Sequence, residues 1–373
     1  MAFDLRKLST KVFLIIASVT ITLFVIEIGL RIFGMAYCAG NWDRNDKLLG
    51  TVFIPDSKGI YKSVNGEVLV EINSLGLRDE EFPLEKPKSE KRILVLGDSF
   101  VEALQVPLDQ TFLKLLEDMF LPDHVRVING GHSGYGQAEQ LLFWRYKGSQ
   151  LDPDLVVLFF YANDIIDNSI DLDPWQKRPF FVMAENGTLQ LINKSSEPGR
   201  IKKFLSEHFY LYHFVRIRGG VIWNYLYTSS KISTLKAEMV TEAKASPKQS
   251  AESGATGITG DPYSEAWTIT SQLLKQLDFE IRETGAVVLV VNAGQPAVSE
   301  KKEYYSKKLT EICGEANIRL FDLQTVIDQE YGKTDNPFFT DHYSPFGHAV
   351  VARVLHEFVV EEFPQIVSPN SRS

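Results

Sequence analysis

"ILVLGDSFVEALQVP", from Ile93 to Pro107, decides how the rest of the chain is read. Its apolar start stops at Gly97-Asp98-Ser99, and helix-compatible residues follow. A short apolar run closed by a turn residue has the pattern of a buried strand. A serine just past the carboxyl end of such a strand is either a helix cap or a nucleophile. The first role needs only a backbone N–H. The second needs a base and donors for an oxyanion, which other parts of the chain must supply.

Working outward, strand and helix patterns alternate. "RILVLG" (92–97), "VRVING" (125–130), "DLVVLFFY" (154–161), "AVVLVVN" (286–292) and "RLFDL" (319–323) read as strands. "TFLKLLEDMF" (111–120), "QAEQLLFWRYK" (137–147), "EAWTITSQLLKQLDFEIRET" (265–284), "KKEYYSKKLTEICGEAN" (301–317) and "HAVVARVLHEFVVEEF" (348–363) read as helices. Near-continuous apolar strands alternating with helices predict a parallel sheet covered on both faces. Functional residues then belong at the carboxyl ends of the strands. Four stations carry polar residues suited to chemistry: Gly97-Asp98-Ser99-Phe100, the stretch from Asn129 to Gly136, Tyr161-Ala162-Asn163-Asp164, and the stretch from Asp341 to His348.

These four blocks resemble those of the SGNH hydrolases, the GDSL-type esterases and lipases. "GDSF" stands where that superfamily has its nucleophile block, and "NGGHSGYG" resembles the block of the oxyanion glycine, here Gly134. "YAND" resembles the block with the oxyanion asparagine, here Asn163. "DHYSPFGH" resembles the block with the catalytic histidine, here His342, five residues before Gly347. Each block is unspecific alone; the four in order at strand ends are specific together. The resemblance spans roughly residues 72–363 apart from a middle insertion, and implies an α/β, three-layer α/β/α flavodoxin-like domain on a five-stranded parallel sheet.

The roles have a physical basis. Ser99 sits where the amino end of a following helix favours developing negative charge. Its own N–H, the Gly134 N–H and the Asn163 side-chain amide are the expected oxyanion donors, and Gly134 lets the backbone approach closely. His342 is the expected base, taking the Ser99 proton and returning it to the leaving group. The competing structural roles are a helix cap for Ser99, a turn for Gly134 and a loop brace for Asn163. The superfamily's aspartate, two or three residues before its histidine, is missing: Phe339 and Thr340 stand there. Asp341 is the expected orienter of His342, with Asp335 or a backbone carbonyl as alternatives. Asp98 and Asp164 are read as loop-holding residues. Gly131-His132-Ser133-Gly134 lacks the second glycine of the α/β-hydrolase G-x-S-x-G motif, since Tyr135 stands there. His132 is read as a packing residue, with pocket lining as the alternative, and His348 as a capping or packing residue.

Composition narrows the classes. The formal net charge of the 373-residue chain is −9, with no long basic block, which argues against a nucleic-acid partner. The two cysteines, Cys38 and Cys313, show no metal-ligand spacing and are read as inert thiols; a single bridge is the alternative. Arg6, Lys7 and Lys11 precede "VFLIIASVTITLFVI", and the apolar run continues through Glu27 and Arg31 to Met35. That reaches the roughly 20 residues a bilayer span requires. Basic residues before the span predict a cytoplasmic amino terminus and a translocated body. Glu27 and Arg31 are at i,i+4 spacing, so Arg31 either pairs with Glu27 or reaches toward headgroups. Cleavage after Gly34-Met35-Ala36, as in a signal peptide, is one rival reading, and a buried soluble helix, which the all-round apolar pattern and basic flank fit poorly, is the other.

The expected organisation is a cytoplasmic stretch (1–11), an anchor (12–35), a small β-rich segment and linker (40–90) and the main domain (91–363), followed by a tail (364–373). Within the β-rich segment Asn65-Gly66 is a hairpin signal. An insertion at 167–262 breaks the main domain's rhythm; its aromatic pieces suggest a cap near the site or an accessory helix pair. The expected function is that of a membrane-anchored serine esterase or acyltransferase acting on a carboxylic ester. Its substrate is an O-acetyl group of an envelope carbohydrate or, alternatively, a lysophospholipid. No metal or organic cofactor is implied. A non-catalytic binding or assembly protein on the same scaffold is the reading from another class. A flavin module is disfavoured because the loop after the first strand lacks a phosphate-cradling run of Ser, Thr and Gly.

Overall fold

The computed structural model describes residues 5–32, 42–63, 66–172, 177–195, 199–212, 214–215, 263–293, 302–331, 338–339 and 342–367. The chain divides into two compact units. One comprises Met1–Ala39 with Pro198–Gly260, the other Gly40–Glu197 with Asp261–Ser373.

The larger unit opens with two antiparallel hairpins. β1 (Asp43–Asp46) pairs with β2 (Gly50–Phe53), and β3 (Lys58–Ser63) with β4 (Gly66–Glu71). The second is the hairpin expected around Asn65-Gly66; Gly66 has φ +120°, whereas Asn65 lies outside the described residues. The first hairpin escapes the sequence reading because Asp43-Arg44-Asn45-Asp46 has no apolar alternation. Its turn forms because Asp46 Oδ1 accepts the Leu48 and Leu49 N–H groups at 2.8 and 3.0 Å. Trp42, Phe53, Val68, Val70, Ile72 and Leu104 close a small core beneath both hairpins.

The main layers follow in chain order. They are β5 (Lys91–Leu96), α1 (Ser99–Glu102), α2 (Phe112–Met119), β6 (Val125–Asn129), α3 (Gln137–Tyr146), β7 (Leu155–Phe160) and α4 (Asp164–Asp167). Next come the hairpin β8 (Pro179–Met183) and β9 (Leu189–Asn193), then α5 (Ser264–Arg282), β10 (Val287–Asn292), α6 (Lys302–Ala316), β11 (Arg319–Asp322), α7 (Leu323–Tyr331) and α8 (Pro345–Glu362). Five strands form one parallel sheet in the order β11-β10-β7-β5-β6. Each starts and ends within about two residues of its expected bounds, because apolar stretches flanked by polar and turn residues leave little choice of limits.

Successive residues of the central strands face opposite sides. Leu94, Val156, Leu158 and Val290 pack with Leu141, Leu273 and Leu309 of α3, α5 and α6. Ile93, Val157, Phe159 and Leu289 pack with Phe112, Leu116 and Leu355 of α2 and α8. The result is a three-layer α/β/α domain of flavodoxin-like strand order. Burial of each such side chain contributes about 1.5–3 kcal/mol, so Val157→Asp would lose that contribution and add the cost of an unpaired buried carboxyl. From β5 the chain moves to β6 on one side, and then returns to β7 on the other. The carboxyl ends of β5 and β7 therefore flank the crevice where the strand order reverses. Ser99 follows the first of these strands and Asn163 the second.

In the smaller unit the N-terminal helix spans Leu5–Ile32. Its stretch Lys11–Ile32 is long and apolar enough to cross a bilayer, at about 33 Å for 1.5 Å per residue. The two charges that interrupt it have partners. Arg31 Nε pairs with Glu27 Oε1 at 2.7 Å, so pairing is the arrangement present. The Glu27 carboxylate also accepts the Tyr210 and Leu211 N–H groups at 3.0 and 2.8 Å, just beyond the helix Arg200–His208. Arg31 Nη2 donates to His208 O at 2.6 Å, and the guanidinium stands 4.7 Å from the Tyr210 ring. The insertion expected at 167–262 is thus shared: β8 and β9 belong to the larger unit and Arg200–His208 to the smaller. Its second aromatic piece, 221–227, lies outside the described residues, as does Cys38. Cys313 is a buried free thiol, pushed up to about 12 by burial.

Candidate active site

Ser99 is the first residue of α1, the single helical turn that follows β5. Asp98 caps that turn, its Oδ1 accepting the Phe100 N–H at 2.9 Å. The turn stops at Ala103, which adopts φ +56°. Arg78, almost wholly buried, takes the carbonyls released there: Glu102 O at 2.8 Å, Ala103 O at 2.5 Å and Val106 O at 2.7 Å. Burial pushes this guanidinium down to about 10. Nothing in "GLRDEEF" marks Arg78 for this task, since its partners are identified only by the fold.

His342 Nε2 lies 2.7 Å from Ser99 Oγ, bringing together residues 243 positions apart. The Phe100 ring lies 4.7 Å from the imidazole, and Phe100 itself stacks on Tyr161 at 4.1 Å. The next residue, Tyr343, is buried and its hydroxyl donates to Ala293 O. Ser344 caps α8 by accepting the Gly347 N–H at 3.0 Å. Gly347 is required there, because a Cβ would stand 2.3 Å from Phe338 O. Asp341 and Asp335, the two carboxylates expected to orient His342, lie outside the described residues. His348 is a packing residue: its Nδ1 accepts the Phe112 N–H at 3.2 Å, and burial pushes it down to about 3, so it is neutral.

Gly134 occupies the third position of a turn closed by Tyr135 N–H on His132 O at 3.0 Å. Its φ of +78° suits a type II turn and favours glycine. Ser133, one residue earlier, donates both its N–H, at 3.0 Å, and its hydroxyl to Glu102 Oε2. Among the described residues, neither the Ser99 N–H nor the Gly134 N–H donates to a protein acceptor. The third expected donor is occupied. Asn163 Nδ2 donates to Asp98 Oδ2 at 3.1 Å and to Asp167 Oδ2 at 2.8 Å. Exchanging the amide oxygen and nitrogen would set the oxygen against both carboxylates, so the orientation is determined. Donation to an oxyanion would require Asn163 to give up one of these partners.

Buried carboxylates crowd this end of the sheet. Burial raises Asp98 to about 6, and the Phe100 N–H and the Asn163 amide oppose that rise. Asp164 is raised well above the ordinary range by burial, with the Asp98 charge adding to it. Its Oδ2 accepts from Gln137 Nε2 at 2.5 Å and from the Tyr161 N–H at 3.3 Å, holding the loop as expected. Three residues that the sequence reading missed connect the parts: Glu139, Asp167 and Arg178. Arg178 Nη2 donates to Gly134 O, and Nη1 pairs with Asp167 Oδ1 at 2.7 Å.

A cavity of about 260 Å³ opens beside this region but includes neither Ser99 nor His342. Leu49, Phe53, Gly131, His132, Tyr135 and Lys147 line it, so it lies behind the Gly134 turn. Asp43, Glu102 and His132 bring three possible metal-ligand atoms within 4.8 Å of one another. His132 stacks on Tyr135 at 4.7 Å, in keeping with a packing role. Burial works against its protonation, but the Asp43 and Glu102 carboxylates outweigh that and raise its pKa. Protonated, it joins β1, α1 and the Gly134 turn through charge.

No family model matches this chain, and no curated protein matches it. Solved structures do resemble it. A catalytic mutant of Axe2, an acetylxylan esterase from Geobacillus stearothermophilus, shares 13% identity at a TM-score of 0.40, covering 73% of this chain and 95% of that one. TesA shares 15% identity at a TM-score of 0.38, over 74% of this chain and 100% of that one. A protein described as lipolytic, of the G-D-S-L family, from Desulfitobacterium hafniense shares 10% identity at a TM-score of 0.39, over 72% of this chain and 99% of that one. Likenesses this distant leave the chemistry to be argued from the site itself.

Proposed function

We propose that this chain is a serine esterase of the SGNH type, anchored by its N-terminal helix and acting on a carboxylic ester. The observation that carries the reading is the 2.7 Å contact between His342 Nε2 and Ser99 Oγ, at the point where the strand order reverses. In the reaction Ser99 Oγ attacks the acyl carbon while His342 Nε2 takes the hydroxyl proton. The Ser99 and Gly134 N–H groups, joined by the Asn163 amide once it releases one of its two carboxylate partners, receive the developing oxyanion. The imidazolium then protonates the departing alkoxide, leaving Ser99 acylated. Water, or the hydroxyl of an acceptor in a transferase, reverses these steps and frees Ser99. Asp341 orients His342 in this scheme, with Asp335 or a backbone carbonyl in reserve. No metal or organic cofactor enters it.

The substrate in this reading is an O-acetyl group of an envelope carbohydrate. Two things support it: the resemblance of the four blocks, and the outward topology implied by Arg6, Lys7 and Lys11 preceding the span. A lysophospholipid is the alternative that the anchor favours. Ser99→Ala should abolish p-nitrophenyl acetate hydrolysis while the fold persists, and a fluorophosphonate probe should label wild type at Ser99 alone. Turnover unchanged in Ser99→Ala would refute the assignment. A folded wild type that neither turns over esters nor takes the probe would favour a non-catalytic binding protein. A reporter fused after Ser373 tests the topology, since cytoplasmic reporter activity there would reverse it.

A further inference from the structure

We propose that Arg178 is a positioning residue that sets the Gly134 turn and the Asn163 side chain relative to each other. The inference rests on the esterase reading above, in which these two residues supply oxyanion donors. Arg178 lies in the insertion, just before β8, where nothing in the local sequence points to a role at the strand ends. Its backbone is well placed. Lys194 N–H donates to Arg178 O at 3.2 Å across the hairpin, and a Cβ on Gly50 would stand 3.4 Å from Arg178 Cα.

From this base the guanidinium reaches three groups. Nη2 donates to Gly134 O. Nη1 pairs with Asp167 Oδ1 at 2.7 Å and donates to Asp167 O at 3.3 Å. Nε stands 3.1 Å from Glu139 Oε1, an ion pair that is out of line for a hydrogen bond. Two arms lead from here to the expected donors. One is direct, through the Gly134 carbonyl. The other passes through Asp167, whose Oδ2 accepts Asn163 Nδ2 at 2.8 Å. Glu139 adds a second hold on the same turn, since its Oε2 accepts the Gly136 N–H at 3.1 Å.

The geometry matters because Gly134 has no side chain to restrain it. Fixing its carbonyl fixes the soft backbone angle that follows its N–H, and Ser133, bound to Glu102, holds the other side. A planar guanidinium keeps its donors at fixed angles, which an ammonium group cannot do. Charge matters as well. Asp98 and Asp167 both face Asn163, where negative charge would develop during acyl transfer. Arg178 offsets the second carboxylate. Without it, the turn loosens and an uncompensated anion stands beside the oxyanion site.

The test compares wild type, Arg178→Met, Arg178→Lys and Asp167→Asn in the full chain. The readouts are p-nitrophenyl acetate kinetics, fluorophosphonate labelling of Ser99 and amide hydrogen exchange. Arg178→Met should lower kcat by about 10²-fold with KM nearly unchanged, since misplacing a reacting group by an ångström costs a factor of that order. Exchange should rise together in peptides covering residues 130–137 and 161–169. Arg178→Lys should recover only part of kcat. Asp167→Asn keeps the Asn163 contact but loses charge, and should loosen 161–169 more than 130–137. Should Arg178→Met misfold, this milder variant and Arg178→Lys carry the test. With an active wild type, folded Arg178 variants within a few-fold of wild-type kcat, or a change in KM alone, overturn the inference and leave the esterase reading standing. An inert, unlabelled wild type overturns the esterase reading, and the positioning role falls with it.

Discussion

Asp98 and Asn163 join the carboxyl ends of the two central strands: Asp98 Oδ2 accepts Asn163 Nδ2 at 3.1 Å while Asp98 Oδ1 caps the helix that begins at Ser99. One carboxylate thus holds the Ser99 turn and the neighbouring Asn163 amide. Asp98→Ala should cost about 1–2 kcal/mol from the lost cap alone, measured by denaturant titration. It should also lower ester turnover, because Asn163 then has only Asp167 to aim it. A variant as active as wild type would limit Asp98 to capping.

Asn163→Ala separates catalysis from binding. If the amide serves the oxyanion, kcat should fall about 10²–10³-fold with little change in KM. The resting contacts to Asp98 and Asp167 add a second expectation: Asn163→Asp should be worse than Asn163→Ala, because it places a third carboxylate against those two. A change confined to KM would make Asn163 a substrate-binding residue.

The orienter of His342 is open to a direct comparison. A base works only if the correct nitrogen faces the serine, so an acceptor must hold the other N–H. Asp341→Asn should lose orders of magnitude in kcat at fixed pH, and Asp335→Asn should not. The reverse result assigns the role to Asp335. Near wild-type kinetics in both would leave a Ser99–His342 dyad oriented by a backbone carbonyl.

Burial raises Glu139 from its ordinary 4.5 to about 7, with the Arg178 charge opposing the rise. The folded state therefore holds a proton that the unfolded chain has released between those values. Stability from this group falls as pH rises through that window, because the native state binds more protons there. Glu139→Gln keeps an acceptor for the Gly136 N–H but does not titrate. Its unfolding free energy relative to wild type should shift in favour of the variant as pH rises from about 4.5 to 7. Parallel pH curves for the two proteins would show that Glu139 is ionised throughout.

Much of this protein is legible in its sequence, for reasons visible in particular elements. β7 and β10 are continuous apolar runs between turn residues, and β5 and β6 are nearly so; at five or six residues they are too short for helices and suit strands covered on both faces. Ser99, Gly134, Asn163 and His342 stand at element ends, where the fold exposes backbone donors. These positions are set by local pattern. Other features depend on partners distant in the chain. Arg78 takes its role from carbonyls about 25 residues away, Arg178 from a turn 44 residues earlier, and His342 meets Ser99 only across 243 residues. A charged side chain carries no periodicity that predicts which carbonyl or carboxylate it will meet. The layers and the candidate residues follow from local pattern, on which hydrophobic burial acts. Which polar groups meet is fixed by the folded chain, because hydrogen bonds and ion pairs depend on distances between residues far apart in sequence.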